Sequence, residues 1–275
     1  MNGKVYLVGA GPGDPELLTI KALRILREAE LVLHDDLVPS AILNLAPPGA
    51  EVANVGKRCG RKSVSQEQIH ARMIAGARQG LAVVRLKGGD PAVFARLGEE
   101  VEALREAEVE FEIVPGVSAA SAASASAGIS LTHRRVASKV LFLTGHPGAG
   151  KVQDAQREWS ALNSENEGLT TATLVVYMPG PDYSRLQDRL VAAGVGRETP
   201  CLLVSAASTG ASRTHRTTVE RLGDIPAMPT PNILIVGAVV RLAQDTRMTA
   251  RSFPWQAPTP PAILEWINLQ AETAG

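Results

Sequence analysis

Residues 5–19 read VYLVGAGPGDPELLT. An apolar run passes directly into a glycine turn, and a helix-prone segment follows. A strand without polar alternation that feeds a turn and then a helix opens a β–α unit of a buried parallel sheet. The unit recurs: the runs ELVLHD (30–35), EVANVG (51–56), LAVVRL (81–86) and FEIVPG (111–116) alternate with amphipathic stretches at 17–29, 66–79 and 98–107. That alternation predicts an α/β fold whose N-terminal domain, residues 1–114, carries a mostly parallel sheet covered by helices.

Beyond FEIVPG lies VSAASAASASAGIS, residues 117–130, a composition that resembles a flexible linker. Alanine is the best helix former, however, and Ser118 stands just after Pro115 and Gly116, where an N-cap is wanted. The reading is a closely packed helix in a connecting region at 115–137. From 138 the strand pattern resumes with SKVLFLTG, TATLVVYM, CLLVSAAS and PNILIVGAVV, now with turn-rich connections and a hairpin-like stretch, RTHRTTVERL, at 213–222. A C-terminal α/β domain with a mixed sheet is expected at 138–245. A polar surface loop is expected within 145–168, and a proline-rich tail with a short helix at 246–275.

The 28 basic residues cancel the 28 acidic ones, so no overall field draws nucleic acid or an anionic membrane. An anionic small molecule would be held by a local basic patch. The two cysteines, Cys59 and Cys201, form no CxxC pair and have no histidine at zinc spacing, so no metal is expected. The N-terminal apolar run is broken by Pro12, Gly13, Asp14 and Pro15, well short of the roughly 20 residues of a membrane span. These features suit a cytoplasmic enzyme that neither crosses nor enters a membrane.

The strand–glycine–helix context at 5–19 is where a dinucleotide fingerprint is normally sought, and taken alone it suggests a nicotinamide-dependent oxidoreductase. The spacing argues otherwise. Gly9, Gly11 and Gly13 make G-x-G-x-G, and Asp14 stands where the third fingerprint glycine belongs. Pro12 removes a backbone N–H that a pyrophosphate would use, and Asp14 would repel one. A tight turn that binds nothing is the other reading of this loop.

Four further segments add to it: VGKRCGRKSVSQEQI (55–69), VVRLKGGDPAVFARLGEE (83–100), VPGVSAASAASASAGISLTHR (114–134) and LVVYMPG (174–180). Together, from about Lys4 to about Val240, these resemble the tetrapyrrole methylase family. The resemblance implies a two-domain fold with S-adenosylmethionine in the interdomain cleft, no metal, and generally a homodimer. The VGKR run, the GGDP loop and Leu131-Thr132-His133-Arg134 resemble the branch that methylates uroporphyrinogen III twice at carbon, giving precorrin-2 through precorrin-1. A sister methylase acting on a later cobalamin precursor is the alternative within the family. With motifs that start at residue 4, no dehydrogenase module is expected ahead of them.

The same resemblance assigns residues. Pro12 and the loop Gly88, Gly89 and Asp90 would hold the cofactor: paired glycines let backbone amides approach a carboxylate, and an aspartate can meet a cationic neighbourhood. Val93, Ser118, Ala119, Met178 and Ala207 would shape the adenosine site. Asp35 and Lys57 would be proton acceptor and donor at the carboxyl edge of the sheet; otherwise they are solvated strand-end charges. Arg96, Glu99, Arg134 and again Met178 would contact substrate, with Arg58, Arg61, Lys62 and Arg85 as further members of a carboxylate-binding patch. A cluster of this kind can also be a solvated face. His34 and Asn232 depart from the family, which commonly has a tyrosine before the aspartate and a small residue after Pro231. His133 reads as structural.

Overall fold

The computed structural model describes residues 3–56, 64–146, 159 and 171–242. Strands β1 (Lys4–Gly9), β2 (Leu31–His34), β3 (Glu51–Asn54), β4 (Ala82–Lys87) and β5 (Phe111–Val114) form one sheet in the order β3-β2-β4-β1-β5, every neighbouring pair parallel. Helices α1 (Ile20–Arg27), α2 (Ser40–Leu43), α3 (Gln66–Arg78) and α4 (Leu97–Glu106) make the crossovers. Val8, Val32, Val84, Leu86 and Val114 pack against Ala22, Ile25 and Leu26 of α1 on one face. Val5, Leu7, Leu31, Leu33 and Val83 pack against Ile69 and Met73 of α3 and Val101 and Leu104 of α4 on the other. Burial on both faces explains the near-continuous apolar strands, each large side chain contributing about 1.5–3 kcal/mol.

Side-chain caps decide where the helices begin. The Thr19 hydroxyl accepts from the Ala22 N–H, so α1 starts at Ile20, and Asp14 caps a separate 3₁₀ turn, Pro15–Leu17. The amphipathic stretch expected at 17–29 therefore holds one helix, which begins three residues later than expected. Ser65 and Gln68 form a reciprocal capping box at the start of α3. β3 is shorter than its sequence run and largely exposed, as an edge strand can be.

The second sheet has the order β6-β7-β10-β8-β9, built from β6 (Lys139–Thr144), β7 (Ala172–Tyr177), β8 (Pro200–Ser205), β9 (Arg213–Thr218) and β10 (Asn232–Val236). β6 and β7 are parallel and the remaining pairs antiparallel. The stretch 213–222 is a strand that pairs with β8, followed by a 3₁₀ turn at Val219–Asp224. Helix α5 (Ala119–Ala127), capped by Ser118 and ended by Gly128 in a left-handed conformation, lays Ala120 and Ala123 on Val175, Leu202, Val204 and Ile235. Its small side chains permit that close approach. Helix α6 (Tyr183–Ala192) covers the opposite face. The loop expected within 145–168 falls almost entirely outside the described residues, as does the tail from 246. No helix among the described residues is long and apolar enough to cross a membrane.

Candidate functional site

In the parallel sheet, the crossover from β1 runs to one side and that from β4 to the other. β1 and β4 are neighbours, so the loops at their carboxyl ends border the crevice where open α/β sheets bind ligands. The loops are locked together. Gly11 N donates to Gly89 O at 3.1 Å and Gly89 N to Gly11 O at 2.7 Å. Gly9 and Gly116 meet behind them: a Cβ on Gly9 would lie 2.7 Å from the Gly116 Cα, and one on Gly116 only 2.4 Å from the Gly89 carbonyl oxygen. Gly9 and Gly11 are thus explained by loop-on-loop packing, and Gly13 by its φ of 123°. The Gly11 amide is spent on Gly89 and Asp14 caps the 3₁₀ turn, which removes the dinucleotide reading.

These loops form one wall of a cavity. Its lining includes Pro12 from the β1 loop, Asp35 and Leu37 after β2, Gly88, Gly89, Asp90 and Val93 after β4, and Ser118 and Ala119 at the head of α5. The other wall comes from the second sheet: Tyr177 and Met178 at the end of β7, Val204 of β8, Ala207, and the 231–233 entry to β10. The residues assigned above to the cofactor, and Asp35, therefore stand around one space. Lys57, Arg58, Arg61 and Lys62 lie outside the described residues.

Asp90, which lines the cavity, also fastens two of its loops. Its Oδ1 accepts from Ala92 N at 2.8 Å and its Oδ2 from Gly116 N at 3.0 Å, so the carboxylate ties the β4 loop to the β5 loop. Arg85 is corrected outright. It belongs to no exposed patch: the residue is 3% exposed, and its guanidinium binds Glu100, the Leu33 and Leu86 carbonyls, and Asp35. Burial works against its charge, but Asp35 and Glu100 outweigh that and hold its pKa above the ordinary value. Lys87, also buried, moves the other way, lowered by burial and by Arg85 against the pull of Glu100.

Three of the substrate assignments fall outside the cavity lining. Arg96 and Glu99 are exposed and paired through Arg96 Nε and Glu99 Oε1 at 2.8 Å, one residue beyond Ala95, which does line it. Arg134 is exposed at the tip of a turn that His133 and Ala137 close, with His133 in a structural role. Met178, 47% exposed, is on the wall itself. Asn232 directs its side chain away: its amide nitrogen donates to the Tyr183 hydroxyl and the Met228 carbonyl on the α6 side, and Ile233 shares the face of Tyr177 instead. The residue still borders the cavity, but its amide is held on the α6 side. His34 is buried, its Nδ1 2.9 Å from the Asp35 carbonyl oxygen.

Sequence reasoning missed Phe94 and Tyr177, each beside an assigned residue. The Phe94 ring lies 5.0 Å from that of Tyr177 and lines the cavity, and its backbone is left-handed at φ 51°. Arg96, Met178, Ala206 and Ser208 share that conformation. Non-glycine residues rarely adopt it; Glu108 does so too, and of these residues Phe94 and Met178 line the cavity. The Tyr177 hydroxyl accepts from Ala120 N, and burial raises its pKa. The run of aromatics within quoted motifs was the available signal.

Residues 4–223 match the model of the tetrapyrrole (corrin/porphyrin) methylases. Among curated relatives, an S-adenosyl-L-methionine-dependent uroporphyrinogen III methyltransferase of Methanosarcina barkeri is 42% identical over 246 residues, 87% of this chain and 93% of that protein. A siroheme synthase of Psychromonas ingrahamii is 43% identical over 244 residues, 88% of this chain. This chain spans about half the length of the siroheme synthases that it matches, 50% in that case. A solved structure of uroporphyrin-III C-methyl transferase from Thermus thermophilus, complexed with S-adenyl homocysteine, superposes with a TM-score of 0.74 at 40% identity, covering 87% of this chain and all of that one.

Proposed function

The chain belongs to the tetrapyrrole (corrin/porphyrin) methylases, and from that premise we propose that it methylates uroporphyrinogen III twice at ring carbons, using S-adenosylmethionine and giving precorrin-2 through precorrin-1. One observation carries the reading: a single cavity gathers the β1, β2 and β4 loops, the head of α5 and the ends of β7 and β8. Its walls fit the methyl donor. A Cβ on Gly88 would stand 3.6 Å from the Leu37 Cβ, in the gap between two lining residues, so bare backbone is what leaves room there. Val93, Met178, Val204, Ala207 and Ile233 supply an apolar surface for an adenosine.

When bound, S-adenosylmethionine supplies an electrophilic methyl on a sulfonium. Pyrrole carbons are nucleophilic without a strong base, so the protein's task is alignment, which can contribute most of the acceleration. Pro12, Gly88 and Gly89 would hold the donor, with Ser118, Ala119 and Met178 against its adenosine. Asp35, facing the cavity, would accept the proton released as the ring regains conjugation, with Lys57 as donor. Arg96 and Arg134 would meet the substrate's carboxylates, with Glu99 and Met178 also at the substrate. The setting that this reading expects is a cytoplasmic homodimer made of the two domains, 1–114 and 138–245, joined through 115–137.

Anaerobic incubation of purified protein with uroporphyrinogen III and methyl-labelled S-adenosylmethionine tests it. The expected result is a tetrapyrrole carrying two labelled methyl groups. Label retained entirely on the donor overturns the proposal, and transfer only when a later corrin precursor replaces uroporphyrinogen III assigns the sister activity instead.

A further inference from the structure

Four ionisable residues link the interior of the parallel sheet to the cleft. Arg85 and Lys87 sit on the β4 face that also carries Val83, against α3 and α4, and Glu100 of α4 lies between them. Arg85 Nε donates to Glu100 Oε1 at 2.9 Å and Lys87 Nζ to Glu100 Oε2 at 2.6 Å; the three residues are 3%, 1% and 0% exposed. The surroundings are Val83, Val101 and Leu104, where apolar residues at 85, 87 and 100 would satisfy packing. Burying ions in such a layer is a poor way to gain stability, because desolvation consumes the attraction.

The network has one outlet. The guanidinium of Arg85 spends Nε on Glu100, Nη1 on the carbonyls of Leu33 and Leu86, and Nη2 on Asp35 Oδ1, so four acceptors fix its plane. Asp35, with 30% of its side chain exposed, alone of the four lines the cavity. Its Oδ2 meets no partner among the described residues. We propose that Arg85 and Glu100 are positioning residues that hold the Asp35 carboxylate in one rotamer, Oδ2 toward the reacting ring, with Lys87 anchoring Glu100. The proposal rests on the reading of Asp35 as proton acceptor. A proton acceptor must be within hydrogen-bond reach of its proton, so a carboxylate free to rotate loses rate while substrate and donor still bind.

The test is a cycle of Asp35→Asn, Arg85→Met and the double variant, with kcat, tetrapyrrole KM and the Kd of S-adenosylhomocysteine measured for each. Asp35→Asn should lower kcat on the order of 10²-fold and Arg85→Met about tenfold or more, both with Kd within about twofold of wild type. The double variant should be no slower than Asp35→Asn, since Arg85 acts through the carboxylate that is already gone. Losses that multiply, or a Kd that worsens in step with kcat, overturn the positioning role. Wild-type turnover in Asp35→Asn overturns the assignment of Asp35 instead and leaves the methylation reading to the labelling assay. If Arg85→Met does not fold, Arg85→Lys carries the same cycle, because an ammonium keeps the charge but cannot fork between Glu100 and Asp35.

Discussion

The parallel sheet brings to the cleft turns of bare backbone at 9–13 and 88–89, the Asp90 clasp, and Asp35 backed by buried ions. The mixed sheet brings Tyr177, Met178, Val204, Ala207 and Ile233, all apolar or nearly so. Topology accounts for the difference. In a parallel sheet every strand ends at the same edge, so four loops and their polar groups converge on one spot. In the second sheet, antiparallel pairing sends neighbouring strands in opposite directions, and what faces the cleft is mainly the side-chain surface of β7, β8 and β10. One sheet places charge and shapes a cradle; the other supplies a greasy wall.

The strongest way to break that contrast is to crowd the cradle. Gly116→Ala would drive a Cβ to 2.4 Å from the Gly89 carbonyl oxygen and displace the 88–90 loop. The expected cost is about 1–3 kcal/mol of stability by denaturant titration, with S-adenosylhomocysteine binding weakened at least about tenfold by calorimetry. On the opposite wall, Ala207→Leu, at a half-buried residue that lines the cavity, should cost less stability than Gly116→Ala does. It should still weaken the same ligand roughly tenfold, about 1.4 kcal/mol. If both substitutions destabilise alike, the division between rigid cradle and open wall is wrong.

A smaller effect tests how apolar the second sheet is. Cys201 lies in its core, and burial pushes the thiol from 9.0 up to about 12. An acid whose folded pKa exceeds its unfolded value leaves stability unaffected below about pH 9 and lowers it as pH rises from there toward 12. Peptide mapping after alkylation at pH 8 should therefore find Cys201 unmodified in native protein and modified once unfolded. Ready modification of the native protein would mean that this core is open.

Much of this was legible in one dimension. Apolar runs without alternation announced strands buried on both faces, and Ser118, standing after Pro115-Gly116, marked the start of α5. Asp14 in place of a glycine separated the β1 loop from a dinucleotide site, and the structure adds the reason, a capped 3₁₀ turn and a Gly11 amide already bonded to Gly89. Arg85 was misread because an arginine beside a glycine loop looks exposed. Its burial depends on Glu100, fifteen positions away, meeting it across the β4–α4 packing.

Hydrophobic period, caps and turn residues are local, and for that reason the chain's own order of residues determined the strand and helix alternation, the connecting helix and the set of motifs. Which side chains share a space is not local. Register and strand direction turn Asn232 toward α6 while Ile233 faces the cleft, lift Arg134 to the tip of an exposed turn, and bury Arg85 between Glu100 and Asp35. A one-residue change of strand parity exchanges the two faces of a sheet, so only the folded arrangement could decide them.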